Sequence, residues 1–176
     1  RLVGSEMCIR DRRSARSKFG VAIGLAKMLT PFLRVGYREF AAVRSPFNVA
    51  VSCILNAAVV AGEDGSVIDF DRVLVSHGGL TSAEGATAEV ADDKVSFFWA
   101  DNSDKGNATG TDVVLLLVYN KELGQPVYDV NAAHRQDGKA TLILPDSWKA
   151  ESLAVYLGFS SADGKMTANS VCLWNG

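Results

Sequence analysis

The spacing of apolar and polar positions changes character near residue 62. Upstream, residues 14 to 43 place Phe19, Ile23, Ala26, Leu29, Leu33, Tyr37 and Phe40 at intervals of three and four, which aligns them along one helical stripe. Thr30-Pro31 interrupts that stripe, as a kink or as a cap followed by proline at the first helical position. A second helical signal runs through SPFNVAVSCILNAAVVAG, where Ser45 caps, Pro46 opens the first turn and Gly62 supplies the stop. Its many small and apolar residues imply burial on most sides.

Downstream the signals become strand-like. VIDFDRVLVS puts Ile68 and Phe70 on one parity and Val73 and Val75 on a following strand, and ATAEVADDKVSFFWA turns at Ala-Asp-Asp-Lys and aligns Val95, Phe97 and Trp99 on one face. DVVLLLVYN is apolar on both parities, as a central strand covered on both sides requires. VYDVNAAHR and ATLILP flank a turn at Asp137-Gly138, and SLAVYLGFS and MTANSVCLW flank a hairpin turn at Asp163-Gly164. About seven short strands at intervals of roughly 8 to 15 residues imply a sandwich.

The order of the bulky residues narrows the architecture. Trp99 ends one strand, Tyr119 ends the next, and Tyr156 sits in SLAVYLGF before the closing hairpin. Over residues 72 to 174 this resembles the fibronectin type III and immunoglobulin-like pattern, which implies a tryptophan on strand B and tyrosines on C and F lining one core. No cysteine pair occupies the B and F positions, which excludes a disulfide-pinned immunoglobulin domain and leaves the type III version open. The expected fold is α+β, a helical pair in residues 12–62 packed on an antiparallel β-sandwich in residues 63–176.

Residues 2 to 11, LVGSEMCIRD, fit neither part. Glu6 interrupts any signal-peptide core, and Glu6 and Asp11 count against an organellar presequence. Read as codons, the string resembles a translated sequencing-library adapter with a transposase-type mosaic end. Residues 1–11 are therefore expected to be a disordered, adapter-derived scar, with the true N-terminus missing and no signal peptide visible. Setting them aside leaves the net charge of −2 unchanged, because their acids and bases cancel. Such a balance argues against bulk binding to nucleic acid or a membrane surface. The longest apolar run, Val113 to Tyr119, is far short of the roughly 18 residues of a membrane span. Cys8 goes with the scar; Cys53 and Cys172 make no disulfide framework and read as buried free thiols.

Candidate chemistry is sparse. His77 and His134 are the only histidines and lie in separate segments; Asp69, Asp71 and Ser76 are the groups that could serve His77. Residues 101 to 112, DNSDKGNATGTD, place Asp101, Ser103, Gly106 and Asp112 at positions 1, 3, 6 and 12 of a calcium loop, but Lys105 sits at a ligand position and the flanks are strands. A solvated loop of small polar residues is the preferred reading. Trp148 and Trp174 are candidate sugar-stacking platforms, against the alternatives that Trp148 covers a core corner and Trp174 closes the sandwich end. No catalytic, cofactor or metal residue is assigned.

Several phrases in order, among them RSKFG, SPFNVAVSCILNAAVVAG, KVSFFWADNS, TDVVLLLVYN, AAHRQDGKATLILPDSW and VYLGFSSADGKMTANS, resemble an uncharacterised bacterial family common in Bacteroidota, a domain of unknown function. The resemblance covers residues 13 to 175 and implies no activity. The expected function is a non-enzymatic structural or protein-interaction role, with a protein partner or self-association and neither nucleic acid nor membrane, encoded by a phage or mobile element. The alternative is a carbohydrate- or ligand-binding module, and hydrolase activity ranks behind both.

Overall fold

The structure, a computed structural model, describes residues 18–176. The adapter-like residues 2–11 and the basic Arg12, Arg13 and Arg16 lie outside the described residues.

The N-terminal stripe folds as two helices, α1 (Lys18–Met28) and α2 (Thr30–Gly36), bent by 88° at Leu29. Pro31 imposes the break, since it has no N–H and its ring crowds the carbonyl four residues back. The Thr30 hydroxyl donates to the Ala26 and Lys27 carbonyls (3.1 and 3.0 Å) beside the break. The bend alters which side chains are hidden. Ala22, Leu25, Ala26, Leu29, Phe32 and Leu33 are buried, whereas Phe19, expected in the stripe, is 49% exposed. Phe32, absent from the expected stripe, meets Tyr128 edge-on at 6.0 Å.

Ser45 caps the next helix, α3 (Pro46–Ala57), by accepting from the Asn48 amide. This helix stops short of the expected Gly62. Val59–Gly62 instead form β1, which pairs with β2 (Gly65–Ile68) across a tight turn. Two β-branched residues, Val59 and Val60, favour the strand, and Gly65 at φ 129° supplies a turn conformation that other residues avoid. Phe70–Arg72 form a 3-10 turn, and Val73 and Val75 are buried without belonging to a strand.

The remaining strands are β3 (Thr87–Val90), β4 (Lys94–Phe98), β5 (Val113–Asn120), β6 (Gln125–Asp129), β7 (Lys139–Ile143), β8 (Leu153–Ser160) and β9 (Val171–Asn175). They form two antiparallel sheets, ordered β3-β4-β7 and β6-β5-β8-β9. That is the A-B-E and C′-C-F-G arrangement of a fibronectin type III-like sandwich. The Asp163-Gly164 turn closes the β8–β9 hairpin as expected. Asp137-Gly138 does not close a hairpin. It ends a 3-10 turn (Arg135–Asp137), and the chain crosses from β6 in one sheet to β7 in the other.

Two hydrophobic cores result. Val114, Leu116 and Val118 of β5 join Phe97, Trp99 and Phe159 between the sheets, while Leu115, Leu117 and Tyr119 face the helices. The expectation that Trp99, Tyr119 and Tyr156 line one core is therefore corrected. Trp99 lies between the sheets, and both tyrosines point through the opposite face of the β6-β5-β8-β9 sheet. The helical layer makes that face interior, which explains why β5 carries apolar residues on both parities. Each such fully buried side chain contributes about 1.5–3 kcal/mol.

Candidate interaction surface

The two histidines are held in unrelated surroundings. His77 stacks on Phe40 at 5.3 Å, and its Nδ1 donates to Asn169 Oδ1 (2.5 Å), so its partner is an amide and not a carboxylate. Ser76 is buried and donates to the Ala168 carbonyl (2.7 Å), while Asp69 pairs with Arg72 (3.2 Å). Neither serves His77. His134 is exposed, and its Nδ1 bonds the Thr111 carbonyl (3.1 Å).

The 101–112 loop is less solvated than its composition implied. Asn102 and Asp112 are buried around Arg135, whose side chain is itself fully buried. Arg135 Nε donates to Asp112 Oδ2 (2.9 Å), Nη1 to Asn102 Oδ1 (2.7 Å) and Nη2 to the Thr81 carbonyl (2.7 Å). Its guanidinium lies 3.9 Å from the Phe159 ring centroid, and its own carbonyl accepts from Trp99 Nε1 (2.7 Å). Thr109 donates through its amide and hydroxyl to the two Asp112 oxygens (both 2.9 Å). Asp112 is thus committed to a guanidinium, and Asp101 accepts locally from Ser103, which holds its carboxyl below the usual range. The loop is a structural clamp that joins three segments.

Trp148 is 5% exposed and packs in the inter-sheet core, as expected of a residue covering the corner. Trp174 is 38% exposed, with its Nε1 donating to the Ala150 carbonyl (2.9 Å). A platform of two exposed rings is therefore not formed. Cys53 and Cys172 are free and half-buried, not fully buried as expected; burial pushes the Cys172 thiol up.

Polar contacts dock the helical layer on the sandwich. The Tyr37 hydroxyl donates to the Leu74 carbonyl and the Tyr156 hydroxyl to the Phe70 carbonyl (2.6 Å each), pinning the 70–75 segment between layers. Burial raises both phenols well above the ordinary value. Glu39 accepts from the Gly79 amide (3.0 Å) and the Thr167 amide (3.0 Å), linking the helical region to two sandwich segments.

On the helical layer, α1 and α3 flank an apolar groove. Phe19 and Ile23 line it from one side and Phe47, Val51 and Leu55 from the other, with Arg44 at its rim. Its volume is about 280 Å³, below the roughly 300–1,000 Å³ of pockets that enclose drug-sized ligands. Val43, beside Arg44, is 86% exposed. No single described helix is long and apolar enough to cross a membrane.

A family model described as a family of unknown function, DUF6266, matches residues 9–174. The chain belongs to this family. No curated protein and no solved structure matches it. In this DUF6266 member the match starts at residue 9, inside the stretch that resembles an adapter.

The DUF6266 chain is also electrically divided, which a net charge of −2 conceals. The helical region from 18 to 62 carries Lys18, Lys27, Arg34, Arg38 and Arg44 against one acid, Glu39. Residues 63 to 176 carry 17 acidic and eight basic residues. Summing charge by segment would have found this from the sequence. None of the five helical bases forms an ion pair with another described residue.

Proposed function

We propose that this DUF6266 protein is a non-enzymatic structural or interaction protein whose docking surface is the groove between α1 and α3. The observation that carries this reading is the groove itself, apolar at its floor and bordered by Arg44, with Phe19 and Val43 exposed beside it. Exposed apolar residues gathered around a groove mark a contact surface more than a small-molecule site. The finer parts of the proposal are a Bacteroidota genome and a gene carried by a phage or other mobile element; housekeeping neighbours in several genomes would count against the latter. The carbohydrate-binding alternative has lost its two-ring platform, because Trp148 is buried.

A photo-crosslinking amino acid placed at Val43 tests the surface in cells. Specific adducts are expected from position 43 and not from a matched probe at Lys139, which is exposed on the β3-β4-β7 sheet beside Phe98. Equal yields from both positions, or none from position 43, would refute the reading.

A further inference from the structure

Charge decides what can occupy the groove. The helical region carries five bases against one acid, so two helical layers facing each other would oppose like charge, which is costly across an interface. A two-fold pairing through this face is thereby disfavoured. The complementary surface is on the chain itself.

At one end of the sandwich the β3–β4 turn, the β5–β6 turn and the segment between β7 and β8 come together. The Leu144 amide donates to the Asp93 carbonyl (2.9 Å), the Lys121 amide to the Ser152 carbonyl (2.8 Å), and the Ser152 hydroxyl to Glu122 (3.0 Å). Asp92, Asp93, Glu122, Asp146 and Glu151 are all exposed there, against Lys94, Lys121 and Lys149. Leu123 projects from the β5–β6 turn, 55% exposed beside Glu122. An apolar knob at an end with five acids against three lysines matches an apolar groove that Arg44 borders, in a region of five bases and one acid.

We infer that copies of this protein associate head to tail, the Leu123 turn of one copy seated in the α1/α3 groove of the next. The inference rests on the proposed docking surface and names its occupant. Knob and groove are different surfaces of one chain, so the contact is heterologous and repeats from copy to copy into a ring or an open filament. Opposite charge supplies orientation and speed of encounter, and the leucine removes apolar surface from water.

Sedimentation velocity on the full chain at rising concentration, at low and high ionic strength, tests this together with two variants. The parent protein is expected to form concentration-dependent oligomers that high salt dissociates. Arg44→Glu at the groove and Leu123→Ser at the knob should each weaken association more than about tenfold. An equimolar mixture of the two should form a one-to-one dimer and nothing larger, because only one intact contact remains. A monomeric parent protein, a mixture that does not pair, or a dimer formed by either variant alone would overturn the inference. Circular dichroism melting of each variant separates lost contact from lost fold. Both sites are exposed, so a conserved melting profile is expected, and a variant that melts early is replaced by Arg44→Gln or Leu123→Asn. Parallel titrations use an acidic amphipathic helical peptide and vesicles of phosphatidylserine with phosphatidylcholine. If the parent stays monomeric yet binds either probe through Arg44, self-association fails while the docking surface stands; if it also binds neither, both readings fall.

Discussion

Replacing Asp112 by alanine would leave the Arg135 guanidinium fully buried and without its counter-charge. The cation would keep Asn102 Oδ1, the Thr81 carbonyl and the Phe159 ring, but lose the 2.9 Å bond through Nε. Removing one member of a buried pair costs about 3–5 kcal/mol, because the remaining charge is still held out of water. The Thr109 amide and hydroxyl would lose their acceptors as well. For a chain of this size, each kcal/mol moves the melting temperature by about 2–4 °C, so Asp112→Ala should melt roughly 6–20 °C lower. Urea unfolding followed by tryptophan fluorescence measures the loss, with an unchanged slope required for the comparison. The double variant Asp112→Ala/Arg135→Met should recover part of it and give a coupling energy above about 1 kcal/mol. Lys105→Ala is the control, since its 2.7 Å pair with Glu84 lies at the exposed surface, where water and salt screen it and leave little net stability. If Asp112→Ala costs no more than Lys105→Ala, the clamp described here does not hold the loop.

Three other outcomes follow from the docking of the helical layer. Gly36→Ala would drive a methyl group into the Val75 carbonyl and the Ser76 backbone, which cannot swing aside; a loss of more than about 2 kcal/mol is expected in the same urea assay. Glu39→Ala would strip the Gly79 and Thr167 amides of their acceptor, with an expected cost of about 1–3 kcal/mol and faster hydrogen exchange at those two amides. Burial holds Tyr37 and Tyr156 protonated in the folded chain above the ordinary 10.0. Once pH exceeds that value the unfolded state loses protons that the folded state keeps, so stability is full below about 10 and falls as pH rises. Phenolate absorbance should therefore show two tyrosines ionising only with global unfolding; their ionisation in the folded protein would contradict the burial.

The apolar spacings located most elements, and their failures have identifiable causes. Alternation correctly placed Val95, Phe97 and Trp99 on one face and marked β5 as covered on both sides, because those patterns record which side chains leave water. They do not record what covers them. The fibronectin-like resemblance implies one core for Tyr119, Tyr156 and Trp99, although a helical layer tens of residues upstream receives the two tyrosines. Helical spacing also ran through Pro31 and past Ala57, where a bend and strand pairing intervened. Of the candidate residues, Asp112 stands at the last position of a calcium-loop spacing, but its cation is a guanidinium from a segment distant in sequence. Arg135 itself carried no local signal. The groove needs two helices side by side, and the basic character of the region that carries it is hidden by a near-neutral total.

By itself the sequence determined the helical start, the sandwich strands from β3 onward, the family and the division of charge, since each is written in local order or in composition. Only the tertiary structure decided which face each helix covers, that an arginine is buried and paired, and that the exposed Leu123 and the groove bordered by Arg44 lie on separate surfaces of one chain. Local pattern reports how much each residue avoids water, whereas pairing depends on which distant segment arrives to exclude it.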